Sequence, residues 1–150
     1  MPAFSPDANC MIAIVCSWHV HHEAATGEVG RRLRRGEDLV VAAPALVEAY
    51  SVLTRLPAPH RLSPADAWAL LETNFVTDTR VIALDASAYR ELLVHAAADG
   101  VAGGRVYDAV IATCVLKSAR TTLLTFNIAH FVPFRDAGLA VVSPAGETRA

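Results

Sequence analysis

The sequence predicts an α/β protein: a parallel sheet with helices on both faces. Three observations carry the prediction. Short apolar, strand-like runs alternate along the chain with longer segments of helical character. Those runs are continuously apolar rather than alternating, as strands buried on both faces must be. The chain also has 150 residues, 53% hydrophobic and 19% charged, with no low-complexity tract, which suffices for one domain, residues 1–150, with a real core.

The elements follow in order. Ala3–Asp7 reads as a first short strand, opening onto Asn9–Cys16, an apolar stretch long enough for a turn or two of helix. His19–Arg35 is more polar and stops at Gly36, as a surface helix should. Leu39–Ala42 is a brief strand, and Pro44 suits the first turn of a helix to about Leu56, before Pro57 and Pro59. Ser63 as cap and Pro64 behind it start a helix reaching about Phe75. Arg80–Leu84 is a third strand and Ser87–Ala98 a helix. Gly100, Gly103 and Gly104 form a loop feeding the apolar helix Val106–Ser118, and strands follow at Thr121–Thr125 and Leu139–Val142. The tail, 143–150, is expected to fray.

A net charge of −2 and a pI near 6.3 exclude a uniformly basic nucleic-acid glove, though not a local basic patch. Cys10, Cys16 and Cys114 form no C-x-x-C pair and lie in apolar stretches, which predicts reduced core thiols in a reducing compartment. Without a basic region before the first apolar stretch, or a span of about 20 apolar residues, the expectation is a cytoplasmic protein with no membrane contact.

The informative feature is the isolation of certain acids. Asp7 is the only acidic, lysine or arginine side chain before Glu23; Glu48 is alone between Asp38 and Arg55; Asp108 is alone between Arg105 and Lys117. Each sits in an apolar segment, and all fall at one end of the inferred sheet. A buried, unpaired carboxylate costs several kcal/mol or takes up a proton. Individually each has a structural explanation: Asp7 as a cap of the next helix, Glu48 as a partner of Arg55 or Arg105. Jointly they suit a hard divalent ion, Mg²⁺ or Mn²⁺, since no His or Cys is expected to sit beside these three acids.

The segments around these acids resemble the motifs of PIN-domain ribonucleases, above all the VapC toxins of bacterial toxin–antitoxin pairs. Phe4–Asp7 with Ala8-Asn9 is similar to that family's opening D-x-N. Pro44-Ala45-Leu46-Val47-Glu48 resembles its second acidic motif, and Gly104 to Ala112, with Asp108 within it, its third. Thr122 to Asn127, followed by His130-Phe131, is similar to the segment that usually carries a fourth acid, here Asn127. The resemblance runs from about residue 3 to 143. It implies a three-layer α/β/α fold on a central, mostly parallel five-stranded sheet, with Asp7 and Asp108 as direct metal ligands. Glu48 would complete the cluster, directly or through water, and Asn9 would steady it. RNA is the implied substrate, a VapB-like antitoxin the implied partner, and a homodimer the implied assembly, with the apolar first helix and the Ser63–Phe75 region as surfaces. Asn127 contributes no charge, so a second metal would bind weakly.

Other features carry two readings each. Arg31, Arg32, Arg34 and Arg35 are either phosphate contacts or well-placed charges at a helix C-terminus. Arg105 is a further phosphate candidate; Thr125 either bonds a phosphate or is an ordinary strand residue. His19, His22 and Glu23 share a helix face but read as a solvated patch, and Trp18 and Trp68 as packing residues. Two rivals to the ribonuclease remain: an RNA- or protein-binding module of the same fold, and an aspartate-based phosphatase. The second is disfavoured by Asn9 where a second acid belongs and by Lys117 late in its helix. P-loop chemistry is excluded, since no G-x-x-x-x-G-K-[ST] occurs.

Overall fold

Five short strands, Ala3–Pro6 (β1), Asp38–Ala42 (β2), Arg80–Ile82 (β3), Thr121–Leu124 (β4) and Ala140–Val142 (β5), pair in parallel in the order β3-β2-β1-β4-β5. The computed structural model describes residues 1–146. Helices connect the strands: Ala8–Val15 (α1), His22–Arg34 (α2), Ala43–Leu53 (α3), Pro64–Leu71 (α4), Ala86–Asp99 (α5), Arg105–Leu116 (α6) and Ile128–Phe131 (α7). This is the expected α/β architecture. The chain lays strands outward from β1 to β3, then returns to place β4 on the other side of β1, in register from Ala3↔Thr121 to Pro6↔Leu124. Strand order therefore reverses between β1 and β4, where the carboxyl ends of a parallel sheet leave a crevice.

Two-sided burial holds at the centre and fails at the edges. All of β1 is buried, while β3 and β5 are half-buried or exposed. One core cluster gathers Met11, Ile12, Ala45, Ala49, Leu53, Leu71, Ile111 and Leu123, so that α1, α3, α4 and α6 share it. A smaller one joins Phe4, Cys10 and Leu124, with Val29 of α2 packed against it.

Local chemistry explains the element ends. Ser63 caps α4 by accepting the Asp66 N–H at 3.1 Å, with Pro64 behind it. That helix passes at Glu72–Val76 into a π-helical turn that buries Phe75. The expected helix His19–Arg35 starts only at His22. The His19 ring Nδ1 accepts the His21 N–H at 3.0 Å and the His19 carbonyl takes the His22 N–H, holding a separate turn. Gly36, at φ 82°, ends α2 as expected. The helix expected from Ser87 begins at Ala86, because Asp85 accepts the Ala88 N–H at 2.8 Å. The strand expected at Arg80–Leu84 closes at Ile82.

Several expectations need correcting. Trp18 and Trp68 are not packed away but 47% and 46% exposed, and Trp18 lies flat on His60 at a centroid separation of 4.0 Å. The first helix is no free surface, since Ala8, Cys10, Met11, Ile12 and Ala13 are buried in it. The segment after β4 forms α7 and a 3-10 turn, Val132–Ala137, neither of which periodicity suggested. Ser143–Gly146, part of the expected frayed tail, closes a turn through the Gly146 N–H and Ser143 carbonyl; residues 147–150 lie outside the described residues. Cys10, Cys16 and Cys114 are free and buried, as expected. No helix among the described residues is long and apolar enough to cross a membrane.

Candidate active site

Asp7 is the first residue beyond β1, and its N–H donates to the Leu124 carbonyl of β4 at 2.9 Å, which fixes it at the reversal point. Its Oδ1 accepts the Cys10 N–H at 2.8 Å, so it caps α1 as well as facing the crevice. One side chain thus caps the helix and lines the crevice. The residue is 4% exposed, and burial pushes its carboxyl above the usual range, against the Thr125 hydroxyl and the Cys10 N–H, which favour the charge.

Thr125 is fully buried. Its hydroxyl faces the Asp7 carboxylate and accepts the Asn127 N–H at 2.9 Å. The expectation that it touches a substrate phosphate is thereby corrected: an enclosed hydroxyl with both neighbours inside the protein holds Asp7 and the Asn127 backbone in place.

Glu48 stands in the second turn of α3, next to the buried Ala45 and Ala49. Burial and the nearby carboxylates of Asp108 and Asp7 raise its pKa, only partly opposed by Arg55. Asp108 stands in the first turn of α6, whose following residues Ala109 to Ala112 are all buried, and its pKa too is raised by burial. His130 and Arg105 act in the opposite direction on it. The His130 Nδ1 lies 3.3 Å from the Asp108 Oδ2. Neither Glu48 nor Asp7 has an ion-pair partner among the described residues, so neither Arg55 nor Arg105 answers Glu48 directly.

Asp7, Asn9, Glu48, Asp108, Asn127 and His130, with Ala8, Ile111 and Phe131, line one cleft of about 130 Å³. Four separate segments thus deliver polar groups to the crevice, and neither lysine nor arginine is among the lining residues. Among the described residues no three His, Cys, Asp or Glu groups close on a single point. Such a cage is not what Mg²⁺ needs: it keeps several waters and uses one or two carboxylates plus substrate phosphate. A set of carboxylates, with the Glu48 pKa raised by burial and then by its acidic neighbours, beside an uncharged amide, fits a hard divalent cation.

The expectation that no histidine sits beside these acids is corrected by His130, which the sequence places in the fourth motif without a role; its signal was a histidine set in the apolar run Ile128–Phe131, shortly after β4. Arg105 is exposed, outside the cleft lining, and acts on Asp108 at a distance. Arg31, Arg32 and Arg35 are tied to Glu28 and Glu37 by bonds of 2.7–2.9 Å, and Arg32 is buried. They end α2 just before β2 begins, at the amino end of the sheet, opposite the cleft. For these three the structural reading holds; Arg34 is exposed and has no ion pair among the described residues. His19 and His22 spend ring nitrogens on the backbone of His21 and Ala13, which leaves the helix-face metal reading without support.

The chain matches the PIN domain family over residues 5–132, which contain Asp7, Glu48, Asp108 and Asn127. It is 44% identical over 124 residues to Ribonuclease VapC40 of Mycobacterium tuberculosis, covering 83% of this chain and 86% of that protein. To Ribonuclease VapC27 of the same organism it is 32% identical over 144 residues, covering 96% and 98% respectively. Among solved structures, VapBC2 from Rickettsia felis bound to a DNA fragment from their promoter matches with a TM-score of 0.64. That match has 16% identity over 94% of this chain and 98% of the other, a likeness of fold. With the family matched along most of its length and VapC ribonucleases as its relatives, this chain belongs to the PIN-domain family.

Proposed function

We propose that the protein is a divalent-metal-dependent endoribonuclease, the toxin of a type II toxin–antitoxin pair, which hydrolyses RNA phosphodiester bonds in the cleft of Asp7, Glu48 and Asp108. The observation that carries this is the convergence of carboxylates from β1, α3 and α6 at the reversal point of a parallel sheet, with no lysine or arginine lining the cleft. The relatives named Ribonuclease VapC40 and VapC27 support the RNA substrate, and the VapBC2 complex supports a VapB-like antitoxin as partner.

Asp7 and Asp108 would hold the metal, Mg²⁺ or Mn²⁺, with Glu48 completing the acidic cluster directly or through water. When bound, such an ion supplies a positive charge to the phosphoryl oxygens and acidifies a water. Thr125 keeps Asp7 in place, and His130 orients Asp108. Glu48, half-exposed and with a raised pKa, is suited to accept the proton of the attacking water. Asn127 contributes an amide oxygen without charge, which favours one tight metal over two. Asn9, exposed on the cleft rim, and Arg105 outside it are the groups for the substrate backbone. The chain acts as one nuclease unit in this reading, placed in the cytoplasm and assembled as a homodimer, with the α4 face carrying exposed Trp68 as its surface.

The test is antitoxin-free protein incubated with single-stranded RNA, with Mg²⁺, with Mn²⁺ or with EDTA, mapping the cut ends. Cleavage that needs the metal and is lost in Asp108→Asn is expected; undiminished cleavage by that variant sinks the assignment. The Asn127 amide favours one second reading, an RNA-binding module with little turnover, which predicts binding without cuts in the same assay.

A further inference from the structure

A second, larger hollow adjoins the acidic cleft and has no part in the chemistry above. It holds about 650 Å³, and Glu48 and Ile111 line both spaces, so the two are neighbours. Tyr89, from the first turn of α5, and Tyr107, from the first turn of α6, line it from different helices, 40% and 68% exposed. Val47 and Pro44 of α3 add apolar surface, Val47 being 69% exposed. Arg55 lies at the far end of α3 from the acids, and the lining contains no second carboxylate beyond Glu48.

We propose that this hollow is a base subsite: Tyr89 and Tyr107 hold one unpaired RNA base next to the bond that is cut, and Arg55 takes the phosphate on that nucleotide's outer side. The inference rests on the ribonuclease reading and extends it to substrate selection. Three features select this occupant. Exposed aromatic faces from two elements offer what an unstacked base needs, since bases of single-stranded RNA stack on tyrosine whatever their identity. The order acid cleft, aromatic hollow, arginine also matches a strand that places one phosphodiester at the carboxylates, then a base, then the next phosphate. Finally, Glu48 stands five positions before the end of α3 at Leu53, roughly 7 Å along the helix axis, and Arg55 follows just beyond that end. At that separation the arginine makes no ion pair with Glu48 and only partly offsets its acidic neighbours, which leaves the guanidinium open to a phosphate. A protein segment would use the apolar surface but has no need of two aromatic faces, and it is the competing outcome of the test below.

The test couples each tyrosine to a base. Binding of a fluorescent single-stranded RNA oligonucleotide to the full chain is measured with Asp108→Asn protein, so that the RNA stays whole. Oligonucleotides with an abasic residue at successive positions are compared. Tyr107→Ala and Tyr89→Ala are expected to weaken binding about tenfold. They should do so on intact RNA but not on RNA whose base is missing at one position, next to the mapped cut. Tyr107→Phe keeps the coupling, because the ring remains. Arg55→Gln should flatten the salt dependence of binding by about one phosphate contact. With the cleaving protein, the tyrosine variants should raise KM more than they lower kcat and blur the cut-site preference. Equal losses on intact and abasic RNA at every position, or no loss at all, overturn the proposal. So does a variant that binds RNA normally but no longer captures its antitoxin, which makes the hollow a protein surface. If the wild type cuts no RNA yet the tyrosine–base coupling is present, the ribonuclease reading fails and the subsite stands.

Discussion

Asp7→Asn replaces one oxygen by nitrogen at a position 4% exposed, leaving size and shape unchanged. Asparagine still presents Oδ1 to the Cys10 N–H, so the cap of α1 survives. What disappears is the charge. Burial raises the Asp7 carboxyl more than Thr125 and the Cys10 N–H lower it, so the folded protein holds this proton more tightly than the unfolded chain. The sign follows: stability falls as pH rises from the unfolded carboxylate value, about 3.9, up to the higher folded value, and is level beyond it. Asparagine removes that fall. Stabilising substitutions of this kind contribute about 0.5–2 kcal/mol, and a chain of this size shifts its Tm by about 2–4 °C per kcal/mol. The Asn variant should therefore melt roughly 1–8 °C above the wild type at neutral pH in EDTA, with a flatter dependence of Tm on pH. Asp7→Ala loses the charge and the cap together, and a lost cap costs about 1 kcal/mol. It should melt below the Asn variant by about 3 °C. Both should lose RNA cleavage, and neither should gain the Tm that Mg²⁺ gives a protein whose folded form alone binds it. Calorimetry across the pH range, with and without Mg²⁺, reads every part of this. An Asn variant that melts below the wild type without metal, or Asn and Ala variants that melt together, would refute the reasoning.

Thr125→Val keeps the volume but removes the hydroxyl that faces Asp7 and accepts the Asn127 N–H. A loss of about 1–3 kcal/mol by urea titration is expected, with weaker Mg²⁺ binding; unchanged metal affinity would mean that Asp7 needs no such support. Asn127→Asp adds a carboxylate to a cleft already crowded with them. Divalent affinity should rise while stability in EDTA falls by about 1 kcal/mol, and calorimetric titration that shows no gain in affinity would place Asn127 outside the metal site. Arg32→Ala strips a buried guanidinium from Glu28 and Glu37 and should cost about 3 kcal/mol. Its cleavage and the salt dependence of its RNA binding should stay as in the wild type, because α2 ends on the opposite side of the sheet; a flattened salt slope would restore the phosphate reading of that cluster.

The family resemblance, the strand–helix alternation and the isolated acids were all legible in the linear chain. Isolation of Asp7, Glu48 and Asp108 in apolar segments is a local property, and a buried carboxylate without a nearby cation marks itself. Caps such as Ser63 were legible for the same reason, since cap and capped N–H are three residues apart. The failures are non-local. Trp18 and Trp68 look like core by composition, yet their exposure depends on which faces of the α1–α2 turn and of α4 remain uncovered. Arg31, Arg32 and Arg35 look like a phosphate surface until Glu28 and Glu37 are seen to occupy them.

By itself, then, the sequence determined the fold class and marked the isolated acids, because apolar runs and charge spacing are written residue by residue. Only the tertiary structure decided what surrounds those acids. Pairing β1 with β4 sets Asp7 against Leu124 and Thr125, and packing α7 beside α6 brings His130 within 3.3 Å of Asp108. The meeting of α3, α5 and α6 places two tyrosines beside the acidic cleft. Each of these contacts joins residues distant in the chain, and the closing of the sheet, which no local propensity encodes, brings them together.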